Sequence, residues 1–289
     1  IKCWNPVSNN SETLFNTTLF GPQFSKTSVI AATKSNLFIG GFSGEIITLG
    51  LERRRDVLRS GIDLDDSLSD VRLKTYSTDP NCITNHIEPL EPEEKLIISC
   101  NDAVLRLMDV ERGIIRPLVR FSYPLNASAV GRDRKLIAVA GDSRKIRLLD
   151  YNTCHEVGSL TGHLDFSFSC AWSPCGRYLA SGSQDRSALI FDARMLGRPA
   201  VHTLVANMAA VRDVKFSECG TLLAVAEADD YVSVYSVHSD FRECQIIDFF
   251  GETSGIAFDP ESRHLYIGCA SAENGGIFEF QSLVDKWVS

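Results

Sequence analysis

The sequence predicts an all-β fold built from repeated four-stranded antiparallel sheets, a β-propeller. Two observations carry that reading: apolar residues alternate with period two, and the pattern returns every ~40 to 45 residues. A third is that no long helical stripe interrupts it. Dividing 289 residues by roughly 41 per blade gives seven blades, with a six-bladed or incomplete ring as the alternative.

The repeats are clearest in three stretches: FSFSCAWSPCGRYLASGSQDRSALIFDAR (166–194), AVRDVKFSECGTLLAVAEADDYVSVYSV (210–237) and TSGIAFDPESRHLYIGCASAENGGIFEFQ (253–281). Each reads as strand, polar turn, strand, tight turn, strand. The turns Ser173-Pro174-Cys175-Gly176, Ser217-Glu218-Cys219-Gly220 and Asp259-Pro260-Glu261-Ser262 carry residues suited to hairpin reversals. Looser copies occupy 27–51, 83–110 and 126–151. A fourth, outer strand is expected in EVGSLTG, AVHTLVA and CQIIDFF. Residues 1–20 hold two strands expected to complete or close a blade, and 52–72 a charged loop insertion that opens on Arg53, Arg54 and Arg55. The domain expected is thus a single propeller over 1–289.

The stretch from Thr161 to Arg194 resembles a WD repeat. It has Gly162-His163, a first strand ending Ala-Trp-Ser-Pro, LASGSQD, and a closing aromatic-Asp pair, Phe191-Asp192. The other stretches resemble divergent copies: Asn207 stands at the histidine position and Tyr235-Ser236 replaces the closing pair. The chain also looks like poorly characterised WD-repeat proteins of fungi and plants, which brings no activity with it. A buried histidine needs hydrogen-bond partners. His163, a strand hydroxyl (Ser181 or Ser183) and Asp185 are therefore expected to form a structural chain rather than a catalytic trio. Phe191 has no N–H with which to extend that chain.

Charge and motifs narrow the function. Lys and Arg number 29 against 37 Asp and Glu, a net −8, and an acidic balance disfavours a phosphate backbone as partner. No apolar run reaches the ~20 residues of a membrane span. The nine cysteines and six histidines show no metal-type spacing, and the cysteines read as small buried hydrophobes of an intracellular protein, cytoplasmic or nuclear. No nucleophile elbow, phosphate loop or paired-carboxylate motif appears, so neither an enzyme, a cofactor nor a metal is expected, with a propeller enzyme as the remote alternative.

What remains is a platform for other proteins or peptides. The resemblance implies docking on the face carrying the loops before the first strand and the tight turns: Phe166, Phe168, Gln184, Arg186, Met208, Arg212, Asp230 and Tyr231. Two further readings stand beside this: Phe166 and Phe168 could pack under their loop, and Arg212 could pair with a neighbouring carboxylate. Finally, LASGSQDRSALIFDAR (179–194) resembles the box by which WD-repeat substrate receptors dock on the adaptor of cullin-RING ubiquitin ligases. Phe191-Asp192-Ala193-Arg194 supplies its end, with Asp192 and Arg194 as the docking residues. A local Asp192–Arg194 salt bridge is the other reading of that pair.

Overall fold

The computed structural model describes residues 2–5, 10–13, 24, 26–51, 71–79, 81–271 and 275–281, in two compact units, Ile1–Ser122 and Tyr123–Ser289. The first unit holds a two-stranded pair, β1 (Lys2–Asn5) and β2 (Asn10–Thr13), and two antiparallel sheets of four. One sheet is β3 (Thr27–Ala32), β4 (Asn36–Gly41), β5 (Glu45–Gly50) and β6 (Val71–Thr75). The other is β7 (Thr84–Leu90), β8 (Lys95–Cys100), β9 (Val104–Asp109) and β10 (Ile114–Arg120).

The second unit adds β11 (Leu125–Val130), β12 (Leu136–Gly141), β13 (Ile146–Asp150) and β14 (Glu156–Leu160), then β15 (Ser167–Trp172), β16 (Tyr178–Ser183), β17 (Ser187–Asp192) and β18 (His202–Val205). Its last sheet has six strands: β19 (Val211–Phe216), β20 (Leu222–Glu227), β21 (Asp229–Ser236), β22 (Cys244–Phe258), β23 (His264–Ala270) and β24 (Gly276–Gln281).

All six sequence copies become strand triplets. The described residues form five sheets of four or more strands, which does not supply the seven blades expected. The six-stranded sheet arises because β22 runs for 15 residues. Its first part pairs with β21 and its second with β23, so an outer strand continues straight into the next inner one. The expected loop at 52–72 lies outside the described residues up to 70, and its last two residues, Val71 and Arg72, instead open β6. From residues 1–20, β1 and β2 pair with one another.

Second strands read as continuous apolar runs because they are buried on both faces. LIAVAG in β12 and LLAVAE in β20 lose solvent at all but their first residue. Within each unit a first strand packs the preceding sheet: Cys170 of β15 clusters with Ala138, Ala140 and Ile146, while Val211 and Val214 of β19 cluster with Ala180 and Ile190. In the first unit Ile87 of β7 packs with Phe38 and Ile46 in the same way.

One second-strand position is small in every repeat: Gly40, Ser99, Ala140, Gly182, Ala226 and Gly268. A Cβ on Gly182 would come within 2.6 Å of Val211 Cγ1, and one on Gly40 within 2.6 Å of Thr84 Cγ2. The next first strand therefore sits too close for a larger side chain. Opposite this position each first strand carries a β-bulge. Its register skips one residue at Ser28, Asn85, Asn126, Phe168, Arg212 and Ser254. A bulge leaves one residue out of the ladder and re-aims its side chain.

Polar locks then fix the loops beside the bulges. His163, buried, places Nε2 2.8 Å from Ser181 Oγ and Nδ1 3.0 Å from Asp185 Oδ2. A carboxylate only accepts, so Nδ1–H donates to Asp185 and Nε2 accepts from Ser181. Asp185 Oδ2 also accepts Leu164 N–H at 2.7 Å, and its Oδ1 takes the Ser187 hydroxyl at 2.6 Å. Ser183 serves differently, donating to the Phe166 carbonyl at 2.8 Å.

In the next repeat the lock is Glu227, at the Ser183 position and almost wholly buried. It accepts the backbone N–H groups of Asn207, Met208 and Ala209 at 2.7 to 2.8 Å and the Asn207 amide at 2.9 Å. Asp229, which matches Asp185 in sequence, is exposed.

These locks give two expected outcomes. Burial lowers the His163 pKa below its ordinary 6.5 despite the Asp185 carboxylate, so below pH ~6.5 the unfolded chain binds more protons and stability falls as pH falls. His163→Asn should cost about 2 kcal/mol at pH 7.5 in urea unfolding and less at pH 5.5, where the wild type has itself lost stability. Glu227→Ala strands three backbone donors and should cost about 2 to 3 kcal/mol, whereas Asp229→Ala should change stability by less than about 0.5 kcal/mol.

Candidate functional site

The rim of the sheets β15–β18 and β19–β22 gathers the side chains that sequence singles out. The register places them together: Ser167 lies opposite Ser183 and Val211 opposite Glu227. The bulge end of each first strand thus meets the tight turn between its second and third strands. Phe168 and Arg212 are the bulged residues of consecutive repeats, and the Arg212 guanidinium stacks over the Phe168 ring at 4.4 Å. Arg212 therefore takes an aromatic partner where a carboxylate was the other reading. The stack leaves Arg212 exposed and Phe168 half-buried.

Around this pair stand exposed apolar groups on fixed backbone. Phe166 is 45% exposed, Leu164 76% and Met208 60%. The loop under Phe166 is tied twice, since its carbonyl accepts Gln184 N–H at 2.9 Å and the Ser183 hydroxyl. Met208 rides on the Glu227 cap. Gln184 and Arg186 are exposed in the tight turn, where Arg186 adopts φ +64°. Asp230 holds the equivalent left-handed position at +67°. Its carboxylate accepts Gly251 N–H at 2.9 Å, so it fixes a loop, and Tyr231 beside it is half-buried.

Two bulged residues elsewhere, Ser28 and Asn126, make polar links instead. Ser28 Oγ donates to the Thr84 carbonyl at 2.7 Å, and Asn126 Nδ2 to the Ser167 carbonyl at 3.0 Å. Each reaches the first strand of the following repeat, as Phe168 reaches Arg212. The pattern is invisible in a linear reading because the bulge is a property of pairing. Its one trace in sequence is a residue that breaks the alternation next to the tight turn.

Asp192 and Arg194 meet in a local ion pair. Asp192 Oδ1 accepts Arg194 N–H and Nε–H at 2.9 Å each, and Oδ2 accepts Nη2 at 2.5 Å. The carboxylate also caps the short 3-10 helix Ala193–Met195. The Arg194 hydrogen bonds hold the Asp192 carboxyl well below the usual carboxylate range. The arginine remains 66% exposed.

The expectation of buried cysteines holds at Cys82, Cys100, Cys170 and Cys269 and fails at Cys175, Cys219 and Cys244, which are exposed; two of the buried thiols also cluster. Thr84 pairs with Cys100, so Cys82, two residues upstream, folds back over the end of β8. There Cys82 Sγ, Cys100 Sγ and an Asp102 carboxylate oxygen lie within 4.8 Å of one another. Seventeen residues of hairpin separate the two cysteines, so no short spacing announces the cluster.

Comparisons with known proteins follow the geometry. The WD40 family model (WD domain, G-beta repeat) matches residues 154–192 and 199–236, the two repeats that build this rim. An uncharacterised protein of Schizosaccharomyces pombe is 23% identical over 209 residues, covering 68% of this chain and 59% of its own length. WD repeat-containing protein 1 of Mus musculus is 29% identical over 153 residues, covering 50% of this chain and 25% of its own. The B-type cell cycle switch protein of Medicago truncatula is 25% identical over 136 residues, 47% of this chain and 27% of its own. The chain thus spans less than two thirds of the length of these curated relatives.

Among solved structures, a chain of the "Crystal Structure of Mitotic Checkpoint Complex" superposes with TM-score 0.73 at 16% identity, over 91% of this chain and 77% of that one. That likeness carries the fold. No helix among the described residues is long and apolar enough to cross a membrane. With its repeated strand triplets and small second-strand residue the chain has a β-propeller fold, and residues 154–192 and 199–236 within it match the WD repeat.

Proposed function

We propose that this chain is a non-enzymatic scaffold or adaptor, one propeller domain over 1–289 working inside the cell, that docks proteins or peptides on the rim of β15–β18 and β19–β22. The observation that carries the reading is the exposed set Phe166, Met208 and the Phe168–Arg212 stack on loops tied down by buried His163 and Glu227. Aromatic, Met and Arg groups are enriched at interface centres, and a pre-ordered rim loses little entropy on binding. The similarity to a chain of the mitotic checkpoint complex, itself an assembly of proteins, supports the same reading.

No convergence of nucleophile and base accompanies the rim. The Ser-His-Asp trio there is inward: His163 and Ser181 are buried, and the Nε2 lone pair is taken by the Ser181 hydroxyl in the lock. A net charge of −8 supports protein over nucleic acid as partner.

A second reading rests on Arg194. Its exposure in the Phe191-Asp192-Ala193-Arg194 box fits a receptor that docks on a cullin-RING ligase adaptor. Leaving this pose would separate the exposed Arg194 from a buried Asp192 carboxylate, which would keep Arg177 at 3.7 Å as its remaining cation.

Affinity purification with mass spectrometry tests both readings. Phe166→Asp with Met208→Asp should strip away the partners of the wild type, weakening each by roughly 30-fold or more. Val157→Asp, on the exposed outer strand β14, should retain them. An unchanged partner set in the double variant refutes the rim. For the second reading, Arg194→Ala should remove a ligase adaptor from the purified set while the chain stays folded, with Tm lowered because the buried Asp192 loses a partner. Arg194→Asp is less suited, since it sets a second carboxylate beside Asp192. Retention of the adaptor by Arg194→Ala ends that reading.

A further inference from the structure

We infer that Cys82, Cys100 and Asp102 form a binding site for a thiophilic divalent cation of the zinc class, with Tyr76 as the fourth donor. The site lies wholly in the first unit, and it stands apart from the proposed docking rim.

Geometry argues first. The two sulfurs and a carboxylate oxygen already lie within 4.8 Å of one another, and both cysteines are fully buried. Zinc bonds of about 2.3 Å to sulfur and about 2.0 Å to oxygen put tetrahedral donors about 3.5 to 3.8 Å apart. The cluster must therefore contract by about 1 Å, within reach of side-chain rotation. Tyr76 Oη stands 3.1 Å from Cys100 Sγ, on the same side of the sheet end.

The donors also come from separate, well-anchored places. Cys100 ends β8, Asp102 sits in the tight turn before β9, Cys82 lies in the connection before β7, and Tyr76 follows β6 directly. Ala103 in that tight turn holds φ +64°, the same left-handed position as Arg186. Asp102 thus occupies the place of Asp185, with the Cys82 thiol within 4.8 Å of its carboxylate, where His163 stands beside Asp185. In this repeat a thiol pair replaces the imidazole lock.

Charge settles which ligand suits the site. Arg106 grips both Asp102 oxygens, with Nη1 to Oδ1 at 2.9 Å and Nη2 to Oδ2, and its guanidinium stacks on the Tyr76 ring at 4.8 Å. Each carboxylate oxygen has two lone pairs, so Asp102 can hold Arg106 and still offer one to a metal. Two thiolates and one carboxylate carry −3, and Arg106 with a divalent cation carries +3. The occupied site is neutral, which a buried site requires.

The binding step is simple exchange: M²⁺ enters, two S–H bonds break, two M–S bonds form, and two protons leave to solvent. A cavity of about 330 Å³ reaches the Tyr76 and Arg106 walls of the cluster.

The test uses the reduced, metal-stripped chain. Equilibrium dialysis against Zn²⁺ should find one ion per chain held by this cluster. Co²⁺ should give a thiolate charge-transfer band with intense tetrahedral d–d absorption. Cys82→Ser and Cys100→Ser should each weaken Zn²⁺ binding by at least 100-fold, while Cys219→Ser, at an exposed thiol, should leave it unchanged. Zn²⁺ should also raise the wild-type Tm and leave that of Cys82→Ser unmoved. Should either serine variant fail to fold, the Co²⁺ spectrum of the unaltered chain decides. Absence of the thiolate band, an octahedral spectrum, or Zn²⁺ affinity that survives Cys82→Ser or disappears with Cys219→Ser overturns the proposal.

Discussion

The close approach, within each unit, of a first strand to the small residue of the preceding second strand is the constraint on which the other features depend. At Gly40 and Gly182 a single methyl would press within 2.6 Å of Thr84 and Val211. Such crowding has no cheap relief, because Thr84 and Val211 are themselves fully buried and packed against the preceding sheet. The bulge beside it follows from the same geometry. A strand that must turn sharply toward its neighbour accommodates the bend by dropping one residue out of the ladder. That residue is then free to carry any chemistry: Ser28 and Asn126 spend it on a carbonyl of the next repeat, Phe168 and Arg212 on each other.

The locks show how one mechanical task can be met by unlike chemistries. A loop beside a bulge must have its backbone donors satisfied and its position fixed. His163 with Asp185 does so through an imidazole, Glu227 through a carboxylate that gathers three successive N–H groups, and Asp102 through Arg106 and the Val104 N–H. Each solution buries polar atoms that would be costly alone and are tolerable only when fully paired. Identity at a lock position is therefore a poor guide to whether a lock exists.

That difference explains what sequence could and could not tell. Strand triplets and their period were legible because burial on one or both faces imposes alternation or continuous apolar runs, as in SALIFD of β17 and YLASGS of β16. The His163 lock was legible because its residues sit in a motif with little divergence. Glu227 was not, since it lies two positions before the aspartate that matches Asp185. Nor was the Cys82–Cys100 cluster, which depends on a hairpin register and a backward-folding loop. The outer strand β6 was hidden behind a charged stretch, and β22 by a connection too short to register as a break.

The same reasoning locates where function can vary on this fold. Interior positions such as Gly182 or Ala226 answer to packing on two sides and offer no room for a new contact. Bulge and loop positions answer only to their locks, and the locks face inward. Phe166 and Met208 can thus change without disturbing the backbone beneath them, because what holds that backbone is Ser183 in one case and Glu227 in the other. A surface that is rigid from below and free from above is suited to recognising a partner by side-chain identity. The two repeats that best fit the family pattern are the ones whose bulged residues stack on one another and face solvent. Regularity of the scaffold and individuality of its rim are consequences of one packing rule.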